Sequence, residues 1–491
     1  MKSVKNLIVP FVIFIALCIF AAVYFIADGI SRKKAVAGKD EFFTALSISP
    51  SDISTLTVKN NDSGYTSVIN CSKDQSGSVI CEFKGDDFSG SERYSQTKML
   101  SVVSGLSTFY SEHMIKAVDN LAEYGLDAPR FNVTIVSNEG TTNLFLGNRT
   151  PDEQSCYMYI EGSNDVYTVD ILKLSYAGSK GIDFLEAMTF DIDYNEVRTV
   201  HFDRRTDGLS LDANVSVGKN GIASFELYSP YKHGTSGYFG TLFDTLSKLV
   251  VDDFVAVDYS NLSEYGLDTP AYHFVFNMAD GSKTEFFFSK PQNGYYYGFT
   301  GNSGKYFRLS EFTLTGIDNA ETVLIDPYIC YCYVKDYTTI TGTYQDKSFK
   351  LDLDVPEGQS ITSDNASVSL DGRNAKINDS FGRSYCSILF ESIACIKIGG
   401  VEIAEKTKPS AAAELSLTFI DKNYVTTVYE FYPKGTDSYY VFKNGEYMNF
   451  YVFATEIFND GGTDTYSYGY WRAYELLNQA ITDNMNGIYD L

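Results

Sequence analysis

Apolar residues recur at helical spacing twice in this chain. Met99, Val102, Val103, Leu106, Phe109 and Tyr110 fall at i, i+3, i+4, i+7, i+10 and i+11, one face of an α-helix. Phe239, Leu242, Phe243, Leu246, Leu249 and Val250 repeat that face 140 residues later. After each helical stretch the period changes to two. Phe131, Val133 and Ile135 alternate, turn at Asn138-Glu-Gly140, and return through Leu144 and Leu146. Tyr272, Phe274 and Phe276 alternate, turn at Asp280-Gly281, and return through Phe286 and Phe288. Alternation around a glycine-containing turn predicts a β-hairpin in both places. Further aromatic strands are predicted over Cys156–Ile160, Val166–Val169, Tyr295–Gly298 and Tyr306–Leu309. Upstream of the helices, strands are predicted over Ser54–Lys59, Tyr65–Asn70, Val197–Asp203 and Ala223–Tyr228.

Between helix and hairpin stands a decapeptide that occurs twice: Asn120-Leu-Ala-Glu-Tyr-Gly-Leu-Asp-Ala-Pro129 and Asn261-Leu-Ser-Glu-Tyr-Gly-Leu-Asp-Thr-Pro270. Eight of ten positions agree, which marks a duplicated structural unit. Turn chemistry accounts for the motif residues Tyr124, Gly125, Leu126, Asp127 and Pro129, and for Tyr265, Gly266, Leu267, Asp268 and Pro270. The glycine permits a positive φ, the aspartate can bond nearby backbone N–H groups, and the proline keeps its predecessor extended. Tyrosine and leucine can plug apolar surface beneath the linker. A catalytic reading, with Glu123 and Asp127 as paired acids, needs a groove that nothing else in the sequence supports.

A third, degenerate copy fills the C-terminal part. Phe381, Tyr385, Ile388, Leu389 and Ile393 make a helical face. Gly399-Gly-Val-Glu-Ile-Ala-Glu-Lys-Thr-Lys-Pro409 replaces the decapeptide, and Leu415, Leu417 and Phe419 alternate ahead of a turn at Asp421-Lys-Asn423. The predicted fold class is α+β: mostly antiparallel sheets in tandem repeats, one covering helix each, behind an N-terminal transmembrane helix. The predicted divisions are 1–40 (anchor and basic linker), 41–190, 191–325 and 326–491.

The anchor rests on Leu7–Ala27, an apolar run without a charge and long enough to cross a bilayer. Lys2 and Lys5 precede it, and Arg32, Lys33, Lys34 and Lys39 follow, so charge alone leaves the orientation open. The chain carries 39 basic and 63 acidic residues, a net −24; beyond residue 39 the net is −29. Such a surface repels phosphate backbones and excludes nucleic acid as a partner. It also repels anionic polymers unless divalent cations bridge the two.

Chemistry-bearing motifs are scarce. Of eight cysteines, Cys18 lies in the apolar run; Cys71 and Cys81 flank a short loop and could pair. No spacing resembles a zinc or redox motif. The four histidines, His113, His201, His233 and His273, show no metal-ligand spacing, and no nucleophile–base or phosphate-loop motif appears. His201-Phe-Asp203 places both polar side chains on one face of a strand, more simply a solvated pair than a catalytic dyad. No catalytic residue, cofactor or metal is assigned.

The Tyr-Gly-Leu-Asp-x-Pro element, the hairpin ending in Phe-Leu-Gly147 and the strand ending Val166-Tyr-Thr-Val-Asp170 resemble a bacterial family of unknown function, the domain-of-unknown-function family 4340. The resemblance covers about residues 45–190. It implies an N-terminally anchored protein at the cell membrane, exposed on the outer side and often found beside ABC-type exporters of the gliding-motility kind. It carries no catalytic residues. The resulting expectation is a single-pass, extracytoplasmic accessory or scaffold protein without catalysis, a partner of ABC transporter subunits. The alternative is an exported ligand- or glycan-binding module, in which Tyr466, Tyr468, Tyr470 and Trp471 form a stacking platform.

Overall fold

The computed structural model describes residues 43–85, 93–255, 261–301, 304–330, 332–461 and 468–485. The expected span Leu7–Ala27 lies outside them. Among the described residues, no helix is long and apolar enough to cross a membrane. The chain divides into two compact units: Met1–Met188 with Asp252–Ala256, and Thr189–Val251 with Val257–Leu491.

The first unit is an antiparallel sheet with helices on one face. Its strands are β1 (Phe43–Ser47), β2 (Ile53–Asn60), β3 (Thr66–Lys73), β4 (Val79–Lys84), β5 (Thr108–Ile115), β6 (Phe131–Ser137), β7 (Gly140–Arg149), β8 (Ser155–Ile160) and β9 (Val166–Asp170). Across the sheet they run β4-β3-β2-β6-β7-β8-β9-β5-β1. The strand in the middle is β7, and beside it β6 pairs with β2, where Leu56 faces Ile135 and Val58 faces Val133. The helix Gln96–Ser107 covers one face, its Met99, Val102, Val103 and Leu106 buried in the mainly aliphatic core of that sheet. Ser95 caps it by accepting from the Lys98 N–H.

Helical spacing overran the helix at its end. Phe109 and Tyr110 lie in β5, not in the helix; Phe109 is fully buried and Tyr110 exposed, the alternation of a strand. Thr108 and the two aromatics favour the extended state, and positions i+10 and i+11 satisfy either period at so short a range.

The second unit holds two further sheets with the same strand order at their centres. In one, Ala223–Ser229, Leu209–Val217, Val197–Arg204, Tyr272–Met278, Lys283–Phe288, Tyr295–Thr300 and Tyr306–Ser310 lie side by side. In the other the order is Ser367–Leu370, Lys347–Asp354, Tyr337–Tyr344, Leu415–Asp421, Thr426–Lys434, Ser438–Lys443 and Glu446–Phe453. Likeness extends to irregularities. The strand corresponding to β2 follows a one-turn 3-10 helix in every sheet: Pro50–Asp52, Tyr194–Glu196 and Val334–Asp336. Its ladder with the first hairpin strand then slips at Ile53/Thr55, Val197/Thr199 and Tyr337/Thr339.

The cores differ in substance. The second sheet buries Phe202, Phe274, Phe276, Phe286 and Phe288 under Phe239 and Phe243 of the helix Gly237–Ser247. The third is covered by Tyr385–Ala394, whose buried face is Cys386, Leu389, Phe390 and Ile393, and by Tyr470–Met485 packed beside it. Phe381, expected on that face, precedes the helix and is exposed. These two sheets meet where the rings of Tyr231 and His233 pack edge-on against Phe450.

Candidate functional site

The repeated decapeptide forms the same strap in both copies. Residues Leu121–Tyr124 and Leu262–Tyr265 each make one turn of 3-10 helix, closed by Gly125 at φ 68° and Gly266 at φ 65°. Tyr124 meets Tyr157 edge-on with ring centroids 4.9 Å apart, and Tyr265 meets Tyr297 likewise at 4.8 Å. Leu126 and Leu267 are buried. Asp127 accepts from the Ala128 N–H, a local turn bond. These groups pack and turn the linker, and neither Glu123 nor Asp127 lines a described cavity.

Polar chemistry gathers elsewhere, on the outer face of the second sheet. The period of two puts His201 and Asp203 on the face opposite the buried Phe202. Antiparallel register then sets Asp212 directly across from His201, and His273 directly across from Asp203. Glu285 faces Val275, one diagonal step from His273. The result is a chain of alternating carboxylates and imidazoles. His201 Nδ1 lies 2.8 Å from Asp212 Oδ1, and its Nε2 lies 3.0 Å from Asp203 Oδ2. That same Asp203 oxygen is 3.9 Å from His273 Nδ1, whose Nε2 is 3.2 Å from Glu285 Oε1. Lys283 closes the row 2.9 Å from the other Glu285 oxygen. One ligand atom from each of His201, Asp203 and His273 lies within 4.8 Å of the others, a grouping that could hold a metal ion.

The two histidines are held differently. Burial, the largest influence on His201, favours its neutral form, but hydrogen bonds and charge from Asp203 and Asp212 outweigh it and raise its pKa. Burial also acts first on His273 and there it prevails, so that pKa is lowered despite Glu285. Both side chains are mostly covered, 20% and 16% exposed, yet reachable from solvent. Phe287 stacks on the His273 ring, 4.3 Å between centroids and 6° between planes, and Phe299 stacks on Phe287 in turn. The imidazole is thereby fixed in orientation as well as in position.

The sequence placed His201 and Asp203 on one face, but His273, Asp212 and Glu285 were not legible as their partners. The usable signal was the register of the repeat. With the hairpin strand paired to Val197–Arg204, His273 falls opposite Asp203. His233 lies at the edge of the same sheet, bonded to the Asp326 carbonyl oxygen, with its pKa lowered by burial. His113 belongs to β5.

A cavity of about 640 Å³ lies apart from this cluster, between the helix Tyr385–Ala394 and Thr455–Asn459. Two of its charged groups serve the fold: Arg383 pairs with Asp379, and Glu456 accepts from the Lys397 backbone N–H. The aromatic platform does not form as expected. Tyr470 and Trp471 are buried in the core, Tyr468 lines the cleft just described, and Tyr466 lies outside the described residues.

Residues 94–227 match the model of a family described as "Domain of unknown function (DUF4340)". The matched stretch contains the first decapeptide and also His201, Asp203 and Asp212, and it begins and ends later than the resemblance read from motifs. No curated protein and no solved structure matches the chain.

Proposed function

We propose that this chain, carrying a domain of that uncharacterised family over residues 94–227, is a membrane-anchored extracytoplasmic scaffold that acts with an ABC-type transporter. In this reading Leu7–Ala27 is the single span, and residues 41–190, 191–325 and 326–491 are three α+β units presented outside the membrane. One observation carries the reading. The most repeated sequence in the chain builds a packed strap with the same ring contact in both copies, so what was duplicated is framework. Confinement to one membrane raises effective concentration, so modest interfaces suffice for partnership. The transporter as partner rests on the family resemblance.

The test has two arms. Protease added to intact spheroplasts should digest the domain; protection until lysis would sink the topology. Affinity purification from detergent-solubilised membranes should recover a transporter permease or ATPase, identified by mass spectrometry. Recovery of neither, with specific binding to a purified glycan, would favour the binding-module alternative.

A further inference from the structure

We propose that His201, Asp203 and His273 form a three-ligand site for a divalent first-row transition ion of the zinc type. This inference is independent of the anchor and of any transporter.

Three observations converge on it. The first is the donor set. Two imidazole nitrogens and one carboxylate oxygen suit zinc and its neighbours, whereas calcium and magnesium take oxygen ligands. Metal–ligand bonds of about 2.0–2.1 Å in a tetrahedron put ligand atoms about 3.3–3.4 Å apart. The Asp203 oxygen already lies 3.0 Å from His201 Nε2 and 3.9 Å from His273 Nδ1. All three ligand atoms lie within 4.8 Å of one another, so closing the triangle on an ion takes a shift of His201 and Asp203 toward the fixed His273 ring.

The second is the support behind each ligand. Metal-binding histidines characteristically give their other ring nitrogen to a carboxylate, which fixes the tautomer and strengthens the ligand. Both histidines here do so: Asp212 stands behind His201 and Glu285 behind His273, leaving the remaining nitrogens turned toward the shared Asp203. Phe287 stacked on His273 locks that ring. An isolated histidine–aspartate contact on a strand surface needs none of this.

The third comes from the other two sheets. The strand pair that ends with Arg204 opposite Tyr272 corresponds to Asn60 opposite Phe131 and to Tyr344 opposite Leu415. Counting back from those ends, the place of His201 is held by Thr57 and Thr341. The place of Asp203 is held by Lys59 and Thr343, and that of His273 by Asn132 and Ser416. The architecture is thus built twice from ordinary solvent-facing residues, and only the second sheet gathers imidazoles there. Three protein ligands leave a further coordination position facing solvent, where water or an anionic group can bind.

The experiment is a Zn²⁺ titration of the full chain, purified in detergent and stripped with a chelator. Excess Mg²⁺ is present throughout, to occupy the diffuse acidic surface. One tight site is expected, and Zn²⁺ should raise the unfolding temperature. His201→Thr and His273→Asn introduce side chains that the first sheet already carries at these places, so folding should be retained and checked by circular dichroism. Each should abolish the Zn²⁺-dependent thermal shift. Asp212→Asn and Glu285→Gln should weaken Zn²⁺ about tenfold or more through the support they remove. Co²⁺ in the same site should give the visible absorption of a tetrahedral ion in the wild type and lose it in His273→Asn. If the wild type binds no Zn²⁺ above Mg²⁺, or the double histidine variant binds as tightly as the wild type, the cluster is a hydrogen-bond network and the proposal fails.

Discussion

Gly125 and Gly266 occupy the same left-handed backbone conformation, φ 68° and 65°, at the end of the same 3-10 turn in two copies of one strap. A side chain there costs about 1–2 kcal/mol from backbone strain alone. The surroundings then separate the two sites. A Cβ at Gly125 would lie 2.5 Å from the Asn148 side chain, whereas at Gly266 the nearest atoms are at 3.2 and 3.3 Å. Gly125→Ala is therefore expected to lower stability more than Gly266→Ala, measured by urea unfolding of each variant. Equal losses would mean that Asn148 swings aside freely.

The acid limb of the stability curve should contain a contribution from Asp207. Arg204 is almost fully buried, donates Nη1 to the carbonyl oxygens of Ile317 and Asn319, and clamps Asp207 with Nε and Nη2. Those hydrogen bonds hold the Asp207 carboxyl below its usual range, against a smaller opposing effect of burial and with added pull from the Arg204 charge. A depressed folded pKa contributes stability above the unfolded value, and that stability is lost as pH falls through the folded value. Asp207→Asn should cost about 1–2 kcal/mol at neutral pH, kept modest because Asp207 is half exposed. The gap to wild type should close below about pH 4. A gap that persists unchanged into strong acid would show that charge is not what binds the pair.

Cys71 and Cys81 should form a disulfide when the domain meets a thiol-oxidising compartment. They sit directly opposite on β3 and β4 with thiols 3.5 Å apart. The hydrogen bond from Cys81 lowers the Cys71 pKa, making Cys71 the thiolate that attacks. Two thiols then give one S–S bond, with two protons released and two electrons passed to a disulfide-type oxidant. Closing so short a loop stabilises by about 2–3 kcal/mol. Alkylation of unreduced, denatured protein after exposure to such an oxidant should leave both cysteines unlabelled until a reductant is added; full labelling before reduction would refute it.

Phe243→Ala should be the most damaging of the single helix truncations. The ring is fully buried and contacts Phe225, Phe239, Phe274 and Phe276, so its loss opens a cavity that several rigid rings cannot fill. About 3–5 kcal/mol is expected. A loss below that of Leu242→Ala, in thermal or chemical unfolding, would show that the cluster repacks.

Hairpins were legible because both faces of each strand declared themselves: Phe274 and Phe276 inward, His273 and Asn277 outward. The helices were legible in their middles, where four apolar residues share a face, and not at their ends, where Phe109 obeys either period. Leu209–Val217 carries the same alternation, with Leu211 and Ala213 buried and Asp212 and Asn214 outward, and was readable as a strand by that rule. The cluster itself joins four strands, and its members are adjacent only once register is known. Short-range spacing carries no trace of that. Recognition of the family rested on the turn element and on two strand endings, Phe145–Gly147 and Val166–Asp170, all local and therefore readable.

Sheets of one design strung along one chain create a hazard at birth. One strand pair in each joins segments from either side of its helix, so a strand such as Val197–Arg204 emerges while β6, made earlier, offers a ladder of the same pattern. The two inner faces discourage the exchange. β6 presents Val133 and Ile135, whereas the proper partner presents Phe274 and Phe276. A swapped pairing would leave holes in one sheet and crowd the other, each at a cost of kilocalories. The aromatic core of one sheet and the aliphatic core of its neighbour thus act as an address, steering each strand to its own copy during synthesis.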